Sequence, residues 1–384
     1  PGEAAGVAEL VRRFGKLPLA RSVEPALRLA RQGVPVSPFI ARMSASFAVQ
    51  LGADPVMRGW LGGEGQGMVA GSTIRRAELA RTLAALARHG ADGFYRGTVA
   101  RQIVAANRAA GGSITLEDLA SYRVVERTPL EATRFGRRWV TAPPPSAGGY
   151  VLLASLAFLE QVDPERQLSR LELLHALAES WKGIGLDRMR YFGDPTYVDV
   201  PVEGMLDPER IAARARLFDR DAAVPTERYS MPLEPETPVT PPSGTGTSHL
   251  CVVDAEGNVA SVTTTINLPF GARYVAAGFP MNDEMDDFAR AVGEENAFRL
   301  PGGERNLPGP GRRPVSSMSP TIVFDERGPA LCIGASGGSR IPSAVEQVAL
   351  GIVRDRLPAA FAIERARVHH QGMPELLHSE ASSP

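Results

Sequence analysis

A few short segments hold residue types that could do chemistry together. In Gly246-Thr247-Ser248-His249, Thr247 stands where a proline-studded stretch stops and strand-like sequence begins. A threonine hydroxyl is a weak nucleophile, but a threonine whose own α-amino group has been freed carries its general base on the same residue. Cutting the chain before Thr247 would create that reagent. A second segment, Gly334-Ala335-Ser336-Gly337-Gly338, has the G-x-S-x-G spacing of a nucleophile elbow between a strand and a helix. Its partners fail: only Glu346, Asp355 and Glu364 precede His369 and His370, and the strands upstream read as hairpins where an α/β-hydrolase needs βαβ units. Paired glycines at a helix start could instead hold an oxyanion with backbone N–H groups, and a tight turn without chemistry accounts for the same residues.

Two further segments are opposite in character. The run Asn282-Asp283-Glu284-Met285-Asp286-Asp287-Phe288 lacks the alternating oxygen ligands and glycine of a calcium loop, so no metal site is expected. A solvated charge patch is its plain reading; the functional one has Glu284 and Asp287, three apart, offering carboxylates to a ligand ammonium. Arg312-Arg313-Pro314-Val315-Ser316-Ser317-Met318-Ser319-Pro320 offers hydroxyls and guanidinium groups suited to a carboxylate. Together the two could grip an amino acid by both ends.

The elements that must position these residues change character along the chain. Val7, Leu10, Val11 and Phe14 recur at helical spacing, as do Leu79, Leu83 and Leu86 before Gly90, and both are expected to be core stripes. Thr115-Leu116-Glu117-Asp118 reads as a helix start. Trp139-Val140-Thr141 reads as a strand, followed by helices over 150–160 and 171–191. On the latter, His175, Glu179 and Lys182 share a face with a solvated or structural role expected. Over 221–246 prolines interrupt every period, so extended or disordered chain is predicted, where a cut costs little stability. After Thr247 come β-branched runs over 249–254 and 259–266 around Ala255-Glu256-Gly257-Asn258, and a second hairpin over 321–324 and 330–334. Helices first and antiparallel strands after favour α+β layers.

Composition narrows the partners. The chain has 384 residues, 43% hydrophobic, with net charge -1 from 42 basic and 43 acidic residues. That leaves ample material for a core and no footprint for nucleic acid or an anionic membrane. No stretch approaches the roughly 18 apolar residues of a membrane span. Cys251 and Cys332, each inside an apolar run, are expected to be small buried hydrophobes and not a disulfide or ligand pair. Pro1-Gly2-Glu3 is neither a start methionine nor a signal peptide, so a fragment or processed product is expected.

Several linked motifs carry a resemblance. Thr247-Ser248-His249, Val252-Val253-Asp254, Gly257-Asn258, Thr265-Ile266-Asn267, the 282–288 and 314–320 segments and Gly337-Gly338-Ser339-Arg340 resemble the small subunit of γ-glutamyltranspeptidase. Tyr122-Arg123, the 144–149 loop and Gly193-Asp194-Pro195 resemble its large subunit, so the likeness covers nearly the whole chain. The resemblance implies an N-terminal-nucleophile hydrolase: an α+β, four-layer αββα sandwich made as a precursor that cleaves itself before its threonine. It implies a large-subunit portion over 1–246, with linker 221–246, and a small-subunit portion over 247–384, intertwined in one domain. By the same resemblance Thr247 attacks the γ-glutamyl carbonyl, Thr265 hydrogen-bonds the nucleophile, and Gly337 and Gly338 hold the oxyanion. Asn267, Glu284 and Asp287 bind the α-ammonium; Ser316 and Ser317 bind the α-carboxylate. Glutathione is the implied donor, water or an amino acid or dipeptide the acceptor, and no cofactor, metal or nucleic acid is implied. Cephalosporin acylases share the architecture, which leaves another acyl donor open, as is a silent, unprocessed member. Against the family pattern the chain is expected to be truncated at both ends, without the arginine that clamps the substrate carboxylate. A lid loop is implied over 289–313, with Phe298 where tyrosine is common, and the family's location implies a periplasmic or extracellular protein.

Overall fold

Thr247 opens the strand Thr247–Val253, which folds back on Val259–Thr265 with Thr247 opposite Thr265 and Val253 opposite Val259. The turn between them is closed by Asp254, whose Oδ1 accepts from the backbone N–H groups of Glu256 and Asn258 at 2.9 Å each. Gly257 there takes φ 83°, where a β-carbon is disfavoured. These features come from a computed structural model that describes residues 2–63, 66–233, 247–291 and 303–380.

The chain divides into two units, Pro1–Glu126 with Leu268–Asp283, and Arg127–Asn267 with Glu284–Pro384. The first is mainly helical, and its core gathers Tyr95, Val99, Ile103, Ala276 and Met281. Thr115 and Asp118 form the expected capping box. The stripe on Glu3–Phe14 is helical but not core: Val7, Leu10 and Phe14 are exposed, because the helix turns its Ala5 side inward to Tyr95.

The second unit holds the chemistry. Its antiparallel sheet runs in the order Gly328–Ile333, Thr321–Asp325, Arg137–Thr141, Leu130–Arg134, so strands from both sides of Thr247 share one sheet. Trp139 and Val323, paired across strands, face the helices Gly148–Val162, Arg170–Tyr191 and Ile341–Val353 and are fully buried among Leu152, Leu156 and Val345. Each such side chain contributes roughly 1.5–3 kcal/mol of burial. Gly148–Val162 is apolar on nearly every side, as a helix enclosed by its neighbours must be. The Thr247 hairpin packs on the strands Thr321–Asp325 and Gly328–Ile333, on the face away from those helices. The helix, sheet, sheet order of the expected sandwich is thereby formed within this unit.

Two local expectations need correction, and a third is narrowed. Cys251 and Cys332 form a disulfide, with Cα atoms 6.0 Å apart and Cys251 exposed. Strand alternation turns both toward each other, a relation that neither apolar run carries alone. The first part of the proline-rich stretch is packed: Val224, Thr226 and Tyr229 are buried, and the Tyr229 hydroxyl donates to Glu179 Oε2 at 2.8 Å. Of the solvated or structural roles expected for Glu179 and Lys182, the structural one holds: both are buried and paired at 2.8 Å. Residues 234–246 of the linker, Gly246 among them, and Phe298 lie outside the described residues.

Candidate active site

The hairpin register places two hydroxyls side by side: Thr247 Oγ1 donates to Thr265 Oγ1 at 3.1 Å. Thr265 Oγ1 also accepts from the backbone N–H of Asn267 at 2.9 Å. Asn267 turns the chain there with φ 72°, a left-handed conformation that asparagine tolerates better than most residues, and its side chain is buried. The strand therefore ends in a rigid turn that fixes the neighbour of Thr247.

Ser316 and Ser317 are brought to Thr247 by the 144–149 loop. Ser316 N–H donates to Pro145 O at 3.1 Å, Ala147 N–H donates to Ser316 O at 2.8 Å, and Ser146 Oγ donates to Met318 O at 2.6 Å. Gly148 is required by this close approach, since a Cβ there would lie 2.2 Å from Ser319 Oγ and 2.6 Å from Ser317 O. Asp287 lies in the short turn Glu284–Asp287, and Gly338 in the turn leading into the helix Ile341–Val353. Gly337 and Gly338 have φ 140° and 58°, so glycine is demanded by the backbone itself.

Thr247, Thr265, Asn267, Asp287, Ser316, Ser317 and Gly338 line one small cleft. Glu284 shares the turn of Asp287, and Gly337 precedes Gly338, but neither is a lining residue. The larger cavity of the helical unit, beside Arg12, Arg88 and Tyr122, has no serine, threonine or cysteine among its lining residues.

Two residues that sequence reasoning missed line or brace the cleft. Arg188, near the end of the helix Arg170–Tyr191, donates from Nη2 to Ser317 Oγ at 2.8 Å and lines the cleft beside Thr247. Burial pushes its guanidinium down to about 10 while Asp287 opposes the change, so Arg188 stays cationic at neutral pH. The adjacent Asp187 anchors the helix: it accepts from Tyr150 Oη at 2.6 Å and from Arg214 at 2.6 and 2.9 Å. Asn306 joins the acidic and serine segments, donating from Nδ2 to Asp287 O at 2.9 Å and accepting from Val315 N–H at 3.0 Å. No spacing or motif flags either residue; only the fold brings them there.

A threonine heading a strand that is layered on a second sheet, with helices beyond, is the arrangement of the N-terminal-nucleophile hydrolases, an α+β class. The sequence matches the gamma-glutamyltranspeptidase family over residues 1–384, and the chain belongs to that family. It is 36% identical over 384 residues to the glutathione hydrolase proenzyme of Escherichia coli K12, covering 99% of this chain and 65% of that protein. The chain thus spans about two thirds of that relative's length. Among solved structures, cephalosporin acylase from Bacillus halodurans superposes with TM-score 0.78 at 26% identity, over 96% of this chain and 65% of that one. Helicobacter pylori gamma-glutamyltranspeptidase gives TM-score 0.56 at 27% identity, over 59% of this chain and 66% of that one.

Proposed function

We propose that the chain is the core of a self-processing γ-glutamyltransferase and hydrolase that cleaves the γ-glutamyl bond of glutathione and related compounds. The observation that carries the reading is the one cleft lined by Thr247 together with a cation, hydroxyls and a carboxylate. Cleavage before Thr247 yields the large and small portions and frees the α-amino group; the relative's name, proenzyme, supports a precursor.

In the reaction the α-amino group takes the proton from Thr247 Oγ1 as the oxygen attacks the γ-carbonyl. Thr265 orients that oxygen. Backbone N–H groups of Gly337 and Gly338 hold the negative charge on the carbonyl oxygen, which preorganised donors do at little reorganisation cost. Collapse breaks the C–N bond, the amine leaves with the proton, and a γ-glutamyl ester on Thr247 remains. Water or the amine of an amino acid or dipeptide then repeats the sequence in reverse. Asn267, Glu284 and Asp287 serve the substrate α-ammonium, and Ser316, Ser317 and Arg188 the α-carboxylate.

The likeness to a cephalosporin acylase supports a second reading, the same fold with another acyl donor. A grip with both signs of charge favours a donor that is itself an amino acid. Thr247→Ala is expected to abolish both the two-band pattern on a denaturing gel and release of a γ-glutamyl chromophore; activity surviving that change contradicts the reading. Preference for a donor without an α-amino group selects the acylase instead.

A further inference from the structure

The disulfide lies on the same face of its strand as the nucleophile, and an imidazole stands beside it. Along Thr247–Val253, alternation sends Thr247, His249 and Cys251 to one side. His249 Nε2 lies 3.3 Å from Cys251 Sγ, and its Nδ1 lies 2.9 Å from Thr263 Oγ1 on the paired strand. The imidazole is seated against Gly334, where a Cβ would come within 2.2 Å of Nδ1, so the glycine makes room for it. One nitrogen of His249 and the two sulfurs all lie within 4.8 Å of one another, Cys251 exposed and the other two half-buried. Soft and borderline donors thus converge at a place that solvent can reach.

We propose that reduction of the Cys251–Cys332 disulfide opens a zinc site, with both thiolates and His249 Nε2 as protein ligands and a fourth position for water. In the closed disulfide the sulfurs are bonded to each other and are poor ligands. An external thiol attacks one sulfur as its thiolate and displaces the other cysteine as a thiolate. A second donor thiol then resolves the mixed disulfide. Two electrons pass to the protein, two cysteine thiols form, and the donor leaves as its own disulfide. Zinc binding then releases the thiol protons.

The geometry suits that ion. Zinc–sulfur bonds of about 2.3 Å in a tetrahedral site set two thiolates about 3.8 Å apart, and set nitrogen about 3.6 Å from sulfur. The imidazole already stands 3.3 Å from Cys251 Sγ, so the sulfurs need only part once the bond between them is broken, across Cα atoms 6.0 Å apart. Thr263 supplies the outer contact: in the tautomer protonated at Nδ1 it accepts from that nitrogen and leaves the Nε2 lone pair for the metal. The site joins the strand headed by Thr247 to the strand that runs into the Gly337–Gly338 turn, so zinc replaces a covalent tie between them with a coordinate one.

The test uses the full chain, reduced with a phosphine, freed of reductant without air, and titrated with Co2+ and then Zn2+. One Co2+ per chain is expected, with a thiolate-to-cobalt charge-transfer band and tetrahedral d–d absorption, displaced by Zn2+. The oxidised chain and Cys251→Ser/Cys332→Ser are expected to show neither band, and alkylating the thiols of the reduced, folded wild-type chain to abolish them. Thr263→Val is expected to bind about ten-fold more weakly or worse. The proposal is overturned if the reduced chain binds Co2+ no more tightly than the alkylated chain. It is equally overturned if His249→Ala keeps the same affinity and spectrum, or if the disulfide stays closed in the folded chain under excess reductant.

Discussion

Arg188 alters what the proposed carboxylate end of the cleft consists of. Ser316 and Ser317 are readable as hydroxyl donors from their own segment, but a hydroxyl pair is neutral, and the positive charge comes from a residue 129 positions away from Ser317. A hydrogen bond to a charged group contributes about 1.5–3 kcal/mol, so Arg188→Met is expected to lower kcat/KM for a γ-glutamyl donor roughly ten- to a hundred-fold. The loss should fall mainly on KM, since the α-carboxylate is held alike in ground and transition states; steady-state kinetics with Thr247 processing verified on a gel separates the two. The base has its own signature. A free α-amino group titrates at about 7.7–8.0, so kcat/KM is expected to rise with pH through that range as the amine loses its proton. At this scale Thr247, Asp287 and the serines were legible because each lies in a short segment whose composition already suggests chemistry. Arg188 and Asn306 were not, because their contacts depend on chain segments far apart in sequence.

The helix Ile341–Val353 carries a cost that its apolar pattern hides. Glu346 is completely buried, accepts from Trp181 Nε1 at 2.8 Å, and burial pushes its carboxyl up to about 8. The folded chain therefore keeps this proton at pH values where the unfolded chain, at its ordinary 4.5, has lost it. Stability from this group is full below 4.5 and is lost as pH rises toward and through about 8. Glu346→Gln is accordingly expected to gain thermal stability over wild type as pH rises across that window, on the order of several °C by pH 8, and little below pH 4.5. Thermal melts at several pH values measure it; a constant difference contradicts it. The disulfide acts at the same scale. Cys251→Ser/Cys332→Ser is expected to lose about 2–4 kcal/mol in denaturant unfolding, given a closed loop of 81 residues. Hairpins and long helices were legible from β-branched runs and periodicity. The cystine was not, because pairing across strands of different hairpins is a matter of register, which local pattern does not encode.

Across the whole molecule, the sheet order matters most for what happens after cleavage. Arg137–Thr141 pairs with Thr321–Asp325, and Trp139 and Val323 share one core, so portions before and after Thr247 are knitted together by backbone hydrogen bonds and burial. The disulfide lies wholly after Thr247 and plays no part in that joining. The two processed portions are expected to co-elute in size-exclusion chromatography under native conditions, reduced or not, and to separate only in denaturant. The α+β class was legible from the order of helices and strands. The partition into units was not, since Leu268–Asp283 leaves the strand-rich portion to join the helical unit, and no composition shift marks that crossing. The most direct test of the account is mass spectrometry of the chain, intact and after peptide mapping, following exposure to a γ-glutamyl donor and rapid acid quench. A new amino terminus at Thr247 and a γ-glutamyl ester on that same residue are expected. A single uncleaved chain, or an adduct on any other side chain, contradicts the central claim that Thr247 is the nucleophile.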